Sequence, residues 1–219
     1  MKQQFAVIGI GRFGSSVAKS LHAFGYEVLA IDSNEQRVQN ISTFVTQAVQ
    51  ADSTDEEALR TLGIDRFDVV VVAIGMNIQA SILTSLILKD MGIPKLIVKA
   101  QNDLQAKVLS KIGADKVVFP ERDMGNRVAH HLISPNVMDY VELSDGYSIV
   151  EMKAPPQMIG KSLKQLNIRA KYNCNVMAVK TNGVMNITPS ADALIRVTDT
   201  LVIVGKNEHL LKFEKMFAR

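Results

Sequence analysis

Apolar residues in this chain follow two patterns that alternate through its first two-thirds. Short runs are almost wholly apolar, as strands buried on both faces are. The stretches between them repeat apolar residues at spacings of three and four, as amphipathic helices do. The run at 5–8 leads into a helix marked by Val17, Ala18, Leu21 and Phe24. A second strand at 26–31 ends on Asp32, and Asn34 caps a helix reaching about Ser42, with Glu35 in its first turn. A third strand at 45–51 runs into the polar cluster Asp52-Ser53-Thr54-Asp55, and the helix at 56–62 closes on Gly63. The β-branched run at 67–75 suits the centre of a parallel sheet. A long apolar helix at 78–91, a strand at 96–100, a helix at 104–112, a strand at 116–119 and a helix at 122–133 complete the series.

Beyond Ser134-Pro135-Asn136, which reads as a boundary, the grammar changes. Residues 139–143 and 147–152 alternate apolar and polar positions, as half-exposed strands do. Pro155-Pro156 breaks the chain and a short helix at 162–166 follows. Strands are expected at 176–180, 184–187 and 200–204, with turns at Asn182-Gly183 and near Asp199, and a last helix at 208–217. The expected fold is α/β: a Rossmann-type doubly wound parallel sheet over 1–134, then a small α+β domain over 135–219. A core that small is helped by association with a second copy.

Composition narrows the function classes. The 219 residues, 47% apolar and 21% charged, describe a soluble globular chain with room for one large or two small domains. A net charge of +3, with Lys and Arg scattered, argues against a nucleic-acid surface. A single cysteine, Cys174, excludes an internal disulfide framework and suits a reducing compartment. Four scattered histidines offer no zinc-ligand spacing. The chain opens directly on a strand, so no signal peptide is expected, and no apolar run approaches the about 18 residues of a membrane helix. A membrane role is expected only through a partner.

The candidate chemistry begins at Gly9-Ile10-Gly11-Arg12-Phe13-Gly14, a Gly-x-Gly-x-x-Gly turn between the first strand and helix. Gly9 permits the turn, Gly11 lets a phosphate approach the backbone, and Gly14 lets helix and strand pack closely. The N–H groups at the helix start then face an anion with a favourable dipole. Asp32 lies about 20 residues past the glycines, where adenosine ribose hydroxyls are usually held, and its charge disfavours a 2′-phosphate and hence NADP. Arg12, Asp32, Asp52, Ser53, Gly75, Lys99 and Glu121 all fall at or just beyond expected strand ends, where such sheets bind ligands. Helix capping and turn making account equally well for Asp52, Ser53 and Gly75, whereas solvent exposure explains Lys99 and Glu121 poorly.

A dehydrogenase would need a proton donor and substrate-orienting charges in its second domain. That domain offers His209 in the last helix, and Cys174 stands between Asn173 and Asn175 with no histidine nearby in sequence. His130 and His131 fall in the connecting helix, where one is expected solvated and the other packed. The expectation is a non-enzymatic regulatory module, with an NAD(H)-binding redox sensor or NAD-dependent dehydrogenase as the alternative.

Beyond the glycine turn, the segments Ala-Asp-Ser-Thr-Asp at 51–55, Val-Ala-Ile-Gly at 72–75, Val-Lys-Ala-Gln at 98–101, Ile-Gly-Ala-Asp at 112–115 and Pro-Glu-Arg-Asp-Met at 120–124 resemble the RCK (KTN) regulators of potassium transport. The likeness is to the cytosolic subunits of bacterial Ktr uptake systems and runs essentially the full length. It implies a TrkA-N domain followed by an RCK-C domain, and homodimers assembled into an octameric ring beneath a membrane potassium-translocating subunit. The protein would be cytoplasmic, peripheral at the inner face of the membrane. The resemblance implies ATP favouring the active ring and ADP the inactive one, at Gly9, Gly11, Arg12, Phe13, Gly14, Asp32, Asp52, Ser53, Ala73, Ile74, Gly75, Lys99 and Glu121. Arg12 would reach a γ-phosphate across the dimer, and Glu121 would meet a divalent cation (Mg or Ca) beside the ATP phosphates. The small domain is similar to lobes that bind cyclic di-AMP at their dimer interface and turn uptake off. The matching positions are Leu163, Ile168, Arg169, Ala170, Lys171, Asn175 and Pro189. There Arg169 would pair with a cyclic phosphate, Asn175 would bond a phosphate or an adenine edge, and Ile168, Ala170 and Pro189 would wall the bases. Without the resemblance, Arg169 reads as a surface cation and its apolar neighbours as dimer core.

Overall fold

Strand β1 (Gln4–Ile8) lies in the middle of a parallel sheet and sorts its side chains into two cores. Ala6 and Ile8 join one cluster with Leu29, Ile31, Val70, Val72, Leu88 and Leu96; Val7 joins the other with Val28, Ala30, Ile41 and Val71. Both faces of the central strands are therefore covered, which is why their sequences run apolar without alternation. The computed structural model describes residues 3–133, 136–144 and 146–217.

After β1 come α1 (Arg12–Ala23), β2 (Glu27–Asp32), α2 (Glu35–Ile41), β3 (Gln47–Gln50), α3 (Glu56–Thr61), β4 (Val69–Val72), α4 (Ile78–Asp90), β5 (Lys95–Lys99), α5 (Asp103–Ile112), β6 (Lys116–Val118) and α6 (Pro120–Ile133). The sheet order is β3-β2-β1-β4-β5-β6, every pair parallel. The order reverses between β1 and β4, and at such a switch point the loops leaving the carboxyl ends part to form a crevice. Local signals set the helix starts: Asn34, Asp55, Asn77 and Asn102 each accept a backbone N–H in the first turn.

One difference from the sequence reading and one feature of α4 matter for the site. The apolar run at 67–75 yields a strand only over Val69–Val72, and Ala73, Ile74 and Gly75 turn out of the sheet into its carboxyl-end crevice. In α4 it is the small polar residues Ser81, Thr84 and Ser85 that are buried, with Ile87 and Leu88, while Leu83 and Leu86 are part-exposed. Their hydroxyls are satisfied: Ser85 donates to the Ser81 carbonyl at 2.7 Å, and Thr84 lies 2.9 Å from the Ser53 hydroxyl. Burial of such hydroxyls is tolerable only because each has a partner.

The second set comprises β7 (Val137–Ser144), β8 (Tyr147–Lys153), α7 (Leu163–Leu166), α8 (Ile168–Tyr172), β9 (Asn175–Thr181), β10 (Val184–Asn186), β11 (Asp199–Lys206) and α9 (Asn207–Phe217). Its antiparallel sheet runs β10-β9-β11-β8-β7. Leu210 and Phe213 of α9 close a core with Met152, Met158, Cys174, Leu201 and Ile203. Asn182 and Gly183 both take positive φ (49° and 85°), the tight hairpin turn between β9 and β10. Helix α8 falls inside a stretch read only for ligand contacts. Five residues are too few to show a helical period, and its flanking Asn167 and Asn173 are left-handed without being glycine.

The chain divides into two compact units, Met1–Glu121 and Arg122–Arg219. Ser134 and Pro135, the residues that read as the boundary, lie outside the described residues. Most of α6 goes with the second unit, where Arg127 pairs with Asp139 at 2.7 Å and the His131 ring meets the Val137 carbonyl at 3.0 Å. Among the described residues no helix is long and apolar enough to cross a membrane.

Candidate nucleotide site

The crevice at the sheet reversal is a cleft of about 1100 Å³ bordered by the loops after β1, β2, β3, β4 and β5 and by Glu121. That is slightly larger than the about 300–1,000 Å³ of most small-molecule sites. Its floor is the glycine turn. Gly9 has φ of 90°, and a Cβ there would lie 2.9 Å from the Ile74 nitrogen, so only glycine lets the turn pass under Ala73 and Ile74. At Gly14 an added Cβ would fall 2.0 Å from the Gly9 carbonyl oxygen and 3.1 Å from Ala73 Cβ, so α1 packs directly on the turn. A Cβ at Gly11 would meet nothing within 4 Å. That open approach suits a bulky group from the cleft. Gly11 is also the N-cap of α1, and no side chain caps this helix. The helix therefore presents unsatisfied N–H groups and the positive end of its dipole to the cleft.

Asp32, 6% exposed at the end of β2, braces this floor. One carboxylate oxygen accepts the Ile10 N–H at 2.6 Å and the other the Asn34 N–H at 2.9 Å, while the Arg37 guanidinium stands 3.4 Å away. Asp52 accepts both the backbone N–H and the hydroxyl of Thr54, and these bonds hold its carboxyl below the ordinary range. The buried Ser53 hydroxyl is committed to Thr84, so its side chain supports the wall from behind. Lys99, at the end of β5, is buried to its ammonium and meets the Glu121 carboxylate at 2.5 Å. That bond, with help from Arg12, lowers the Glu121 carboxyl below its usual range.

Gly9, Gly11, Arg12, Phe13, Asp32, Asp52, Ser53, Ala73, Ile74, Gly75, Lys99 and Glu121 thus border one cleft, and Gly14 lies behind it. Sequence reasoning passed over Arg37, Met76 and Gln101, which also border it. Arg37 had a signal, one turn into the helix after Asp32. Gln101 had one in the Val-Lys-Ala-Gln segment, and its side chain donates to the Gly75 carbonyl, tying the β4 and β5 loops together. The cleft has the chemistry a nucleotide would use: a buried carboxylate for hydroxyls at one end, and uncapped N–H groups with Arg12 for phosphates at the other. Among the described residues no three His, Cys, Asp or Glu side chains group as a metal site. Glu121 alone would need a second carboxylate from elsewhere.

In the second unit Arg169, Ala170 and Lys171 are exposed on α8, and Asn175 is exposed at the start of β9. Leu163 and Pro189 are half-buried, in α7 and in the loop after β10. Ile168 is only 4% exposed and belongs to the core, so it offers a ligand little surface. Cys174 is fully buried, and burial pushes its thiol up to about 11, which makes it a packing residue rather than a nucleophile.

A family model described as the TrkA-N domain matches residues 5–120, and one described as the TrkA-C domain matches 147–218. Ktr system potassium uptake protein A of Bacillus subtilis (strain 168) is 50% identical over 212 residues, 97% of this chain and 96% of that protein. Ktr system potassium uptake protein C of the same organism is 50% identical over 215 residues, 98% of this chain and 97% of that protein. Among solved structures, GsuK bound to ADP is 26% identical with a TM-score of 0.52, over 59% of this chain and 34% of its own. A glycine-turn cleft in a doubly wound sheet, a separate antiparallel unit and these matches place the chain in the TrkA-N/TrkA-C (RCK) family, which includes the Ktr potassium uptake proteins.

Proposed function

We propose that this protein is a non-enzymatic regulatory subunit of a Ktr-type potassium uptake system, gated by ATP and ADP bound in the cleft of its first unit. The observation that carries the reading is the 50% identity, over nearly the whole chain, to two Ktr uptake proteins. The ADP held by GsuK supports an adenine nucleotide as the ligand, and the buried Asp32 and uncapped α1 supply the two ends such a ligand needs. Homodimers assemble into an octameric ring that docks on a membrane potassium-translocating subunit at the cytoplasmic face. Glu121 meets a divalent cation (Mg or Ca) when the ring brings a second carboxylate to it. Cyclic di-AMP binds the second unit near Arg169 and turns uptake off. Nucleotide exchange acts only through the difference in affinity between ring states, since equal affinities would shift nothing.

Calorimetric titration of the full chain with ATP, ADP, NADH and cyclic di-AMP in one buffer tests this directly. Tight ATP and ADP binding is expected; preferential NADH binding would replace the reading with a redox sensor or dehydrogenase. Arg12→Ala is expected to weaken ATP about tenfold more than ADP, because a guanidinium fork reads the terminal phosphate. Equal losses for the two nucleotides would remove that role from Arg12. Arg169→Ala is expected to abolish cyclic di-AMP binding with ATP affinity retained; persistent binding would move the second site elsewhere.

A further inference from the structure

The charges in the cleft are unevenly committed. At the Asp32 end, the carboxylate already accepts two backbone N–H groups and is paired with Arg37, which leaves it part of its acceptor capacity. Asp52 is turned onto Thr54. At the glycine-turn end the Lys99 ammonium lies 6.0 Å from the Phe13 ring centroid, beside Gly75, and its partner is Glu121. The two partners are unequal: the Lys99 side chain is 10% exposed and that of Glu121 72%. A buried ammonium must keep a counter-ion, whereas an exposed carboxylate can return to water at little cost. Arg12 acts on the same carboxylate. Glu121 therefore already supplies a negative charge to two of the cations that border the cleft.

We propose that Glu121 is a specificity-determining residue that competes with the terminal phosphate of a bound nucleotide for Lys99, and so sets the preference between longer and shorter polyphosphates. The inference rests on the nucleotide reading of the cleft. A ligand phosphate that takes Lys99 competes with Glu121 for the ammonium, and the carboxylate, whether it shares the ammonium or yields it, stands close to the ligand and repels it. The penalty grows with each negative charge on the ligand. Without a divalent cation to neutralise Glu121, the cleft is thereby biased toward ADP over ATP.

The test is titration of the full-length protein with ATP, ADP and adenosine in EDTA at low ionic strength, for wild type, Glu121→Gln, Lys99→Met and the double variant. Glu121→Gln is expected to tighten ATP about tenfold and ADP about threefold, with the gain fading as salt screens the charges. In the Lys99→Met background the same substitution is expected to give a smaller gain, because the competition is gone. An ATP-to-ADP affinity ratio that is unchanged or lower in Glu121→Gln would overturn the proposal. So would a gain as large without Lys99 as with it, which would make Glu121 a simple repulsive charge. Failure of wild type to bind either nucleotide would instead overturn the nucleotide reading itself.

Discussion

Replacement of Gly14 by alanine is expected to destabilise the first unit by about 3 kcal/mol or more, a large share of the about 5–15 kcal/mol that holds a domain together. The added methyl would sit 2.0 Å from the Gly9 carbonyl oxygen, which is backbone and cannot swing aside, with Ala73 Cβ at 3.1 Å closing the other direction. Relief requires α1 to lift from the turn, and that moves the N–H groups facing the cleft. Thermal unfolding should show a drop of roughly 10 °C in the midpoint of the first unit, together with loss of nucleotide binding. Gly11→Ala is the control. Its methyl would meet no protein atom within 4 Å, and its backbone, at φ −77°, accommodates alanine. That variant should melt close to wild type yet bind nucleotide more weakly, because the methyl enters the space a phosphate would use. If Gly14→Ala melts as wild type does, the tight packing of α1 on the turn is wrong.

Asp32→Ala is expected to lower ATP affinity about 100-fold, equivalent to about 2.7 kcal/mol. Two losses combine. The Ile10 N–H, inside the glycine turn, would be left without an acceptor in a buried position, at a cost of about 1–3 kcal/mol to stability. The proposed ribose would lose a charged acceptor as well. Asp32→Asn separates these contributions. Its amide oxygen still accepts one of the two backbone N–H groups that the carboxylate holds, so stability should be partly restored. The charge is gone and Arg37 loses its partner, so affinity should remain at least roughly tenfold below wild type. Calorimetry and thermal unfolding on both variants read the split. An asparagine variant that binds ATP like wild type would confine Asp32 to bracing the turn.

The strand and helix series of the first unit was legible because its signals are local. Apolar runs covered on both faces, asparagine and aspartate caps, and glycines past helix ends each act within a few residues. The strand ends were less legible. Residues 67–75 read as one apolar run, yet only Val69–Val72 find partners on both sides, and Ala73, Ile74 and Gly75 leave the sheet where β1 ends and the glycine turn passes beneath them. The buried face of α4 was not legible for another reason. Of its buried hydroxyls, Thr84 and Ser81 are met by Ser53 and Gln105 from other elements and Ser85 bonds back to the Ser81 carbonyl, whereas a one-dimensional reading ranks serine and threonine as outward-facing.

The site shows the same division. The sequence by itself determined that a Gly-x-Gly-x-x-Gly turn and an acid at the second strand end would share one crevice, since the order of strands and helices leaves few ways to wind the sheet. Only the tertiary structure decided what the side chains there do. Ser53 is spent on Thr84, Arg37 joins Asp32, Gln101 ties the Gly75 loop, and Lys99 is held by Glu121 across 22 positions of sequence. Those pairings depend on which loops the sheet order brings side by side, and spacing along the chain carries no record of that.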